Sequence, residues 1–199
     1  MQSLYKHSGT LAAAFLAPSA ALAHSGTVHA TGFASGLSHP ISGLDHVLAM
    51  VLAGVLACQL GGRALWAVPA AFLSVMTLGG AVGAAGLQLP FVEIGIALSV
   101  VVLGAIVALK VKAPVAVAAG VVGLFALFHG TAHGAEMPET AAGLGYAAGF
   151  LLSTALLHLA GLGLGAATGA ADRRVGPLLT RSAGAMATIA GLGMLAGTI

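Results

Sequence analysis

The segment LPFVEIGIALSVVVLGAIVAL, residues 89–109, is a run of 21 residues that carries a single charged side chain, Glu93. About 20 apolar residues are needed for a helix to cross the hydrocarbon core of a bilayer. The rest of the chain shares this character, since 59% of its 199 residues are hydrophobic and only 6% are charged. Soluble domains carry about 25% charged residues, so the sequence predicts an integral membrane protein.

Five further apolar segments accompany this one, and the breaks between them hold the Gly, Pro and charge signals that end helices. The predicted spans are residues 37–60, 65–86, 89–109, 114–133, 140–168 and 178–199. The fifth is longer than a span requires, so we expect it to tilt or to end early within its Gly-rich tail. The predicted fold class is all-α: a polytopic membrane protein whose six transmembrane helices form one domain, residues 24–199.

Residues 1–23 have the pattern of a cleavable signal peptide. Lys6 supplies a positive charge, residues 11–16 form a short apolar core, and residues 21–23 read Ala-Leu-Ala, an A-x-A cleavage site. We predict cleavage after Ala23, so that the mature chain begins at His24. The alternative is an uncleaved first helix, which the short apolar run disfavours because it cannot span a bilayer.

The basic residues predict the orientation of the spans. With an exported amino terminus, every Lys and Arg of the mature chain falls on the cytoplasmic side, as the positive-inside rule requires. These residues are Arg63, Lys110, Lys112, Arg173, Arg174 and Arg181. We therefore expect a multi-pass protein of the bacterial inner membrane with both mature termini in the periplasm.

Several classes of protein are excluded by what the chain lacks. Its net charge of +2 is too small and too scattered to indicate a nucleic-acid partner. Cys58 is the only cysteine, so neither an internal disulfide nor a cysteine-based zinc site is possible. The phosphate-binding pattern G-x-x-x-x-G-K-[S/T] does not occur, so no nucleotide drives a reaction through that motif.

The first candidate motif is HPISGLDH, residues 39–46, at the start of the first span. We expect His39 to occupy the N-cap and Pro40 the first helical position, which proline favours. His39 and His46 would then lie two helical turns apart on one face. Asp45 could ligate a metal, or orient the neighbouring imidazole from behind.

The second motif is FHGTAHGAE, residues 128–136, at the end of the fourth span. His129 and His133 are four residues apart, which places both rings on one helical face. Glu136 continues that face if the helix persists. Gly130 and Gly134 leave the backbone between them thinly covered, so that another helix or an ion could approach.

The predicted topology places both motifs on the same extracytoplasmic half of the membrane. Together they offer four imidazoles and two carboxylates, and ionisable groups inside a membrane usually mark a function. Imidazole suits nickel, cobalt, copper and zinc. The candidate metal ligands are His39, Asp45, His46, His129, His133 and Glu136. The sequence leaves the roles of His24, His29, Glu93 and His158 open.

Both motifs resemble the signatures of the HupE/UreJ family. The first, H-P-x-x-G-x-D-H, is followed by Leu48-Ala49-Met50 and Gly54, and the second reads F-H-G-x-A-H-G-x-E. The layout of a signal peptide and six spans is similar as well. The resemblance implies a secondary nickel permease associated with hydrogenase or urease maturation, with cobalt carried by some members. It also implies that the six candidate residues hold the metal.

We therefore expect a permease for Ni²⁺, or for Co²⁺, whose partners are the ion and the lipid bilayer and which has no prosthetic group. Three other classes stay open. An intramembrane metal-dependent hydrolase would use metal-bound water with Glu136 as base, but Gly130 stands where metalloproteases carry a Glu. A b-type cytochrome would need axial histidines on two helices. A sensor or metallochaperone would bind metal without transporting it.

Overall fold

The structure is a computed structural model that describes residues 32–87, 89–139, 142–171 and 174–198, and within these ranges all regular secondary structure is α-helical. The helices are α1 (Phe33–Ser42), α2 (Leu44–Leu60), α3 (Ala64–Ala84), α4 (Val92–Leu109), α5 (Val115–Ala135), α6 (Ala142–Ala170) and α7 (Val175–Leu195). Helices α3 to α7 are long and apolar enough to cross a membrane, and α1 with α2 makes a sixth span if the bent pair is counted as one. The all-α polytopic fold is confirmed. The predicted signal peptide lies outside the described residues.

The first span is not the continuous helix that the sequence analysis predicted. It is broken at Gly43, whose backbone is extended (φ −100°, ψ 123°), and α1 and α2 are bent by 84°. Helix α1 begins at Phe33, so Pro40 lies inside it and His39 is not its N-cap. Pro40 cannot donate a helical hydrogen bond and Gly43 is a poor helix former, so a continuous helix through these residues is disfavoured.

Helix α2 starts afresh at the break. Gly43 is its N-cap residue, and the Gly43 carbonyl accepts the first helical hydrogen bond from the amide of Val47. The Asp45 carboxylate accepts a hydrogen bond from the amide of His46 at 2.8 Å. This contact satisfies one of the amides that the start of a helix leaves without a partner. The same polar residue thus stabilises the new helix and lies within the first motif.

Small residues bring neighbouring helices into close contact. A Cβ atom on Gly130 of α5 would clash with the carbonyl of Met76 in α3, and one on Gly161 of α6 would clash with the carbonyl of Val51 in α2. In lipid, helices associate through such close packing because the acyl chains are as apolar as the side chains. Helix α6 runs without interruption for 29 residues, or about 43 Å. Of the two alternatives for this span, an early end is therefore wrong, and a tilt stays a prediction.

The two ends of the bundle differ in chemistry. At one end, a cavity of about 640 Å³ is lined by the end of α2, the start of α7 and the lysines Lys110 and Lys112. At the other end, a cavity of about 200 Å³ is lined by residues of both histidine motifs. The two motifs therefore lie at one end of the molecule, and Lys110 and Lys112 lie at the opposite end. The positions of the basic residues in the sequence predicted this separation.

Candidate metal site

All six candidate ligands meet at the end of the bundle where α2 begins and α5 ends. His39 comes from the last turn of α1, and Asp45 and His46 come from the first turn of α2. His129 and His133 lie on the last two turns of α5, and Glu136 is the residue that ends that helix. The bend at Gly43 lets two short segments of the first motif approach α5 from different directions.

The outer part of the site is built around the Glu136 carboxylate. Its Oε2 atom lies 3.2 Å from His39 Nε2 and 3.0 Å from His133 Nδ1. Each of these three residues can offer one ligand atom, and the three atoms lie within 4.8 Å of one another. That spacing is close enough for the three to share one ion, with Glu136 either as a ligand or as the partner that orients the ring of His133.

The inner part of the site is a buried chain of hydrogen bonds. His46 Nε2 lies 3.0 Å from His129 Nδ1, and His129 Nε2 lies 2.9 Å from Ser99 Oγ. The Ser99 hydroxyl also donates a hydrogen bond to the carbonyl of Ile96 at 2.6 Å. At the other end of the chain, His46 Nδ1 lies 3.2 Å from Asp45 Oδ1. Ser99 and Asp45 thus orient the two rings, as partners behind metal-binding histidines do.

The outer and inner parts are continuous. The ring centroid of His133 lies 4.7 Å from that of His39 and 4.2 Å from that of His46, and the His46 and His129 centroids are 4.4 Å apart. The four imidazoles form one connected row with a carboxylate on either side. Their role as ligands stays a prediction, but the arrangement provides the mixed nitrogen and oxygen donors that it requires.

Burial increases along this row. The Glu136 side chain is 57% exposed and that of His39 is 34% exposed, whereas His133 is 13% and His46 is 4% exposed. His129 is fully buried. An ion that moves along the row would exchange water for protein ligands stepwise, rather than lose its hydration shell at once.

His133 has a nitrogen that is free to bind a metal. Its Nδ1 faces the Glu136 carboxylate, which can only accept a hydrogen bond when ionised, so Nδ1 carries the hydrogen. The Nε2 lone pair is buried and has no hydrogen-bond partner within the described residues. A carboxylate that holds the other ring nitrogen is a usual arrangement behind a metal-ligating histidine.

Glu93 and Ser99 also belong to this region, although the sequence left the role of Glu93 open and gave Ser99 none. Glu93 lines the cavity formed by the two motifs, and it also lines a neighbouring cavity of about 310 Å³ with Asp45. Its position at the outer start of a span was the available signal. Ser99 gave no such signal, because a serine seven residues after the start of an apolar helix is unremarkable until its partner is known.

The sequence left the roles of three other histidines open, and the structure describes one of them, His158. His158 is separated from the site by the ring of Phe72, whose centroid lies 5.9 Å from that of His129 and 4.8 Å from that of His158. His24 and His29 lie outside the described residues.

The comparisons with known proteins cover nearly the whole chain. The model of the family described as HupE / UreJ protein matches residues 12–194. The chain belongs to the HupE/UreJ family. Protein HupE of Rhizobium leguminosarum bv. viciae is 48% identical over 193 residues, which make up 97% of this chain and 99% of that protein. No solved structure matches the chain.

The HupE/UreJ match includes every residue of the site. The family consists of accessory membrane proteins of hydrogenase and urease systems and is not known as a family of enzymes. The cytochrome alternative also fits the geometry of this HupE/UreJ protein poorly. Rings whose centroids are 4.2–4.7 Å apart leave no room for a haem between them.

Proposed function

We propose that this HupE/UreJ protein is a secondary permease that imports Ni²⁺, with Co²⁺ as a second substrate, across the bacterial inner membrane for the maturation of nickel enzymes. The observation that carries the proposal is the connected row of four imidazoles, which leads from exposed carboxylates to the fully buried His129. A purely structural cluster would have no need of a graded path from solvent to the interior.

The outer carboxylates would attract the hydrated cation. Three of the five acidic residues in the chain, Asp45, Glu93 and Glu136, line one cavity. Their negative charge offsets that of the incoming ion at a place where the low dielectric of the membrane strengthens the interaction. Glu136, the most exposed of the ligands, would then be the first contact.

The donor set favours late first-row divalent ions. Imidazole nitrogens bind nickel, cobalt, copper and zinc more strongly than they bind magnesium or calcium, which prefer oxygen ligands. The site contains no thiolate, since Cys58 lies at the opposite cavity. Nickel and cobalt are the ions in this series that the family resemblance also implies, and zinc is the competitor that an assay must include.

The membrane potential would supply the driving force. A divalent cation that moves inward gains about 4.6 kcal/mol per 100 mV, twice the value for a single charge. For this direction of transport, the motif-bearing end of the bundle must face the periplasm and the end with Lys110 and Lys112 the cytoplasm, as the positive-inside rule predicts. Both mature termini would then be periplasmic.

Uptake of radioactive nickel into proteoliposomes tests the proposal. We expect saturable uptake by the wild type and loss of uptake in His46→Ala and His133→Ala, which represent the two motifs. Glu139→Gln is a matched control, because Glu139 is exposed and follows Glu136 by three residues but lines neither cavity at this end. Cobalt should compete with nickel more strongly than zinc does.

Two outcomes would redirect the assignment. If the wild type binds nickel but no uptake is seen at any imposed potential, the permease proposal is wrong and a sensor or metallochaperone becomes the better account. If metal-dependent hydrolysis of a peptide or ester is found without uptake, the intramembrane enzyme is favoured instead. In either case the binding assay on His46→Ala still reports whether the first motif holds the ion.

A further inference from the structure

His158 lies in the middle of α6, and one of its ring nitrogens has no use in the fold. The residue is 1% exposed. Its Nδ1 lies 2.8 Å from the carbonyl oxygen of Thr154, and since a carbonyl can only accept, Nδ1 carries the hydrogen of the neutral ring. The lone pair is therefore on Nε2, which is buried and has no hydrogen-bond partner within the described residues.

This arrangement is the one that prepares a histidine to bind a metal. Histidine ligands commonly donate the hydrogen of one ring nitrogen to a backbone carbonyl, which fixes the tautomer and the orientation of the other nitrogen. A buried polar atom without a partner destabilises the folded state, so the unpaired Nε2 contributes nothing to the stability of the fold. His133 in the outer site has the same arrangement: its Nδ1 is bonded, here to Glu136 instead of a carbonyl, and its Nε2 has no partner in the described part of the chain.

The surroundings of His158 place it on the inward continuation of the site. The Phe72 ring, fully buried, contacts the rings of both His129 and His158. One turn further along α3, the Met76 sulfur lies 4.0 Å from the hydroxyl of Thr154, one turn before His158 on α6. The Phe72 ring thus lies between His129, the last imidazole of the row, and His158.

We propose that Nε2 of His158 is an inner binding station for the transported divalent transition-metal ion, which reaches it from His129 when the Phe72 ring moves aside. The proposal rests on the proposed function, since a station presupposes transport. The ion keeps water on its remaining coordination positions, so that binding at one nitrogen is weak enough for release. Capture from outside depends on the outer site and passage depends on His158.

Uptake kinetics in proteoliposomes separate these two roles. We expect His158→Gln and His158→Ala to lower the maximal rate of nickel uptake about tenfold or more, because even the loss of a partner behind a metal ligand typically costs about 10–100-fold. The concentration for half-maximal uptake should change little, because the capture site is intact. The matched control is Ser153→Ala, since the Ser153 hydroxyl is also buried on α6 without a hydrogen-bond partner in the described part of the chain.

A spectroscopic test reports binding at this position directly. In a Cys58→Ser background, which removes the one native thiol, His158→Cys should give a thiolate-to-cobalt charge-transfer band when Co²⁺ is added to the protein in detergent. The Cys58→Ser protein alone should give none. Size-exclusion chromatography confirms that each variant is folded and monodisperse.

The outcomes are distinct from those that test the permease itself. A wild-type maximal rate in His158→Gln, in which the amide can still donate to the Thr154 carbonyl, would overturn the inner station and leave His158 a structural residue. Absence of the cobalt band in His158→Cys would also overturn it. If the wild type shows no uptake, the proposed function fails, and the cobalt spectrum still decides whether metal binds at residue 158.

Discussion

His46 Nε2 and His129 Nδ1 lie 3.0 Å apart, although 83 residues separate them in the chain. This hydrogen bond joins the start of α2 to α5, two helices that otherwise have little contact. It also joins the two histidine motifs, because His46 belongs to the first and His129 to the second. The contacts extend to Asp45 beyond His46 and to Ser99 beyond His129. The side chains of the two motifs therefore form one cluster rather than two.

The contact between His46 and His129 predicts that their substitutions are not additive. The free energy of nickel binding can be measured by calorimetry in detergent for the wild type, His46→Ala, His129→Ala and the double variant. We expect this double-mutant cycle to give a coupling energy of about 0.5–3 kcal/mol. The reason is that either single change already disrupts the shared site. Additive effects on the nickel Kd would show that the two rings bind separate ions.

Gly43→Ala tests the bend between α1 and α2. A Cβ atom at this position would lie 2.7 Å from Asp45 Oδ1, so the carboxylate must move away from the amide of His46. We expect nickel uptake to fall about tenfold or more while the protein stays folded, because partners of the ligating rings typically contribute 10–100-fold to metal affinity.

The control for this change is Gly163→Ala, a helical glycine of α6 with open space around it. Uptake by Gly163→Ala should match the wild type. If Gly43→Ala also transports normally, the position of Asp45 at the helix start is not required for the site.

Glu136→Gln tests the outer carboxylate. Its neutral amide keeps the size of the side chain but removes the charge that faces His39 and His133. We expect the KM for nickel uptake to rise about tenfold, which corresponds to ~1.4 kcal/mol, and Glu139→Gln to leave KM unchanged. The difference between the two variants should shrink at high ionic strength, because salt screens exposed charges. Equal effects in both variants would indicate a general surface charge instead of a ligand.

Gly130→Ala tests the contact between α3 and α5. The added methyl group would clash with the carbonyl of Met76, so the helices must separate. We expect a destabilisation of about 1–3 kcal/mol, as overpacking usually causes, measured as a lower midpoint of thermal unfolding by circular dichroism. Gly120→Ala in the same helix has nothing within 4 Å of its Cβ and should not lower the midpoint. Unfolding at the same temperature in both variants would contradict the proposed packing.

Local sequence patterns that have one physical meaning led to correct predictions. The low charge and the lengths of the apolar segments predicted the all-α membrane fold, and the basic residues predicted which breaks lie together. The prediction of a continuous first helix was wrong, because hydropathy averages over a bend. Residues 37–60 are apolar on average, and the break at Gly43 comes from the backbone properties of single residues and from a hydrogen bond by Asp45 that hydropathy does not record.

The sequence by itself determined the class of this protein and the donor types of its site, since composition fixes what can lie in lipid and the two motifs supply the imidazoles and carboxylates. Only the tertiary structure decided that these groups form one graded row, that Glu93 and Ser99 adjoin it, and that the Nε2 atom of His158 is buried without a partner. The physical reason is that a ligand site depends on distances between atoms on different helices. Those distances depend on where glycines allow two backbones to touch and on the bend at Gly43. Neither can be read from how far apart two residues are in the sequence.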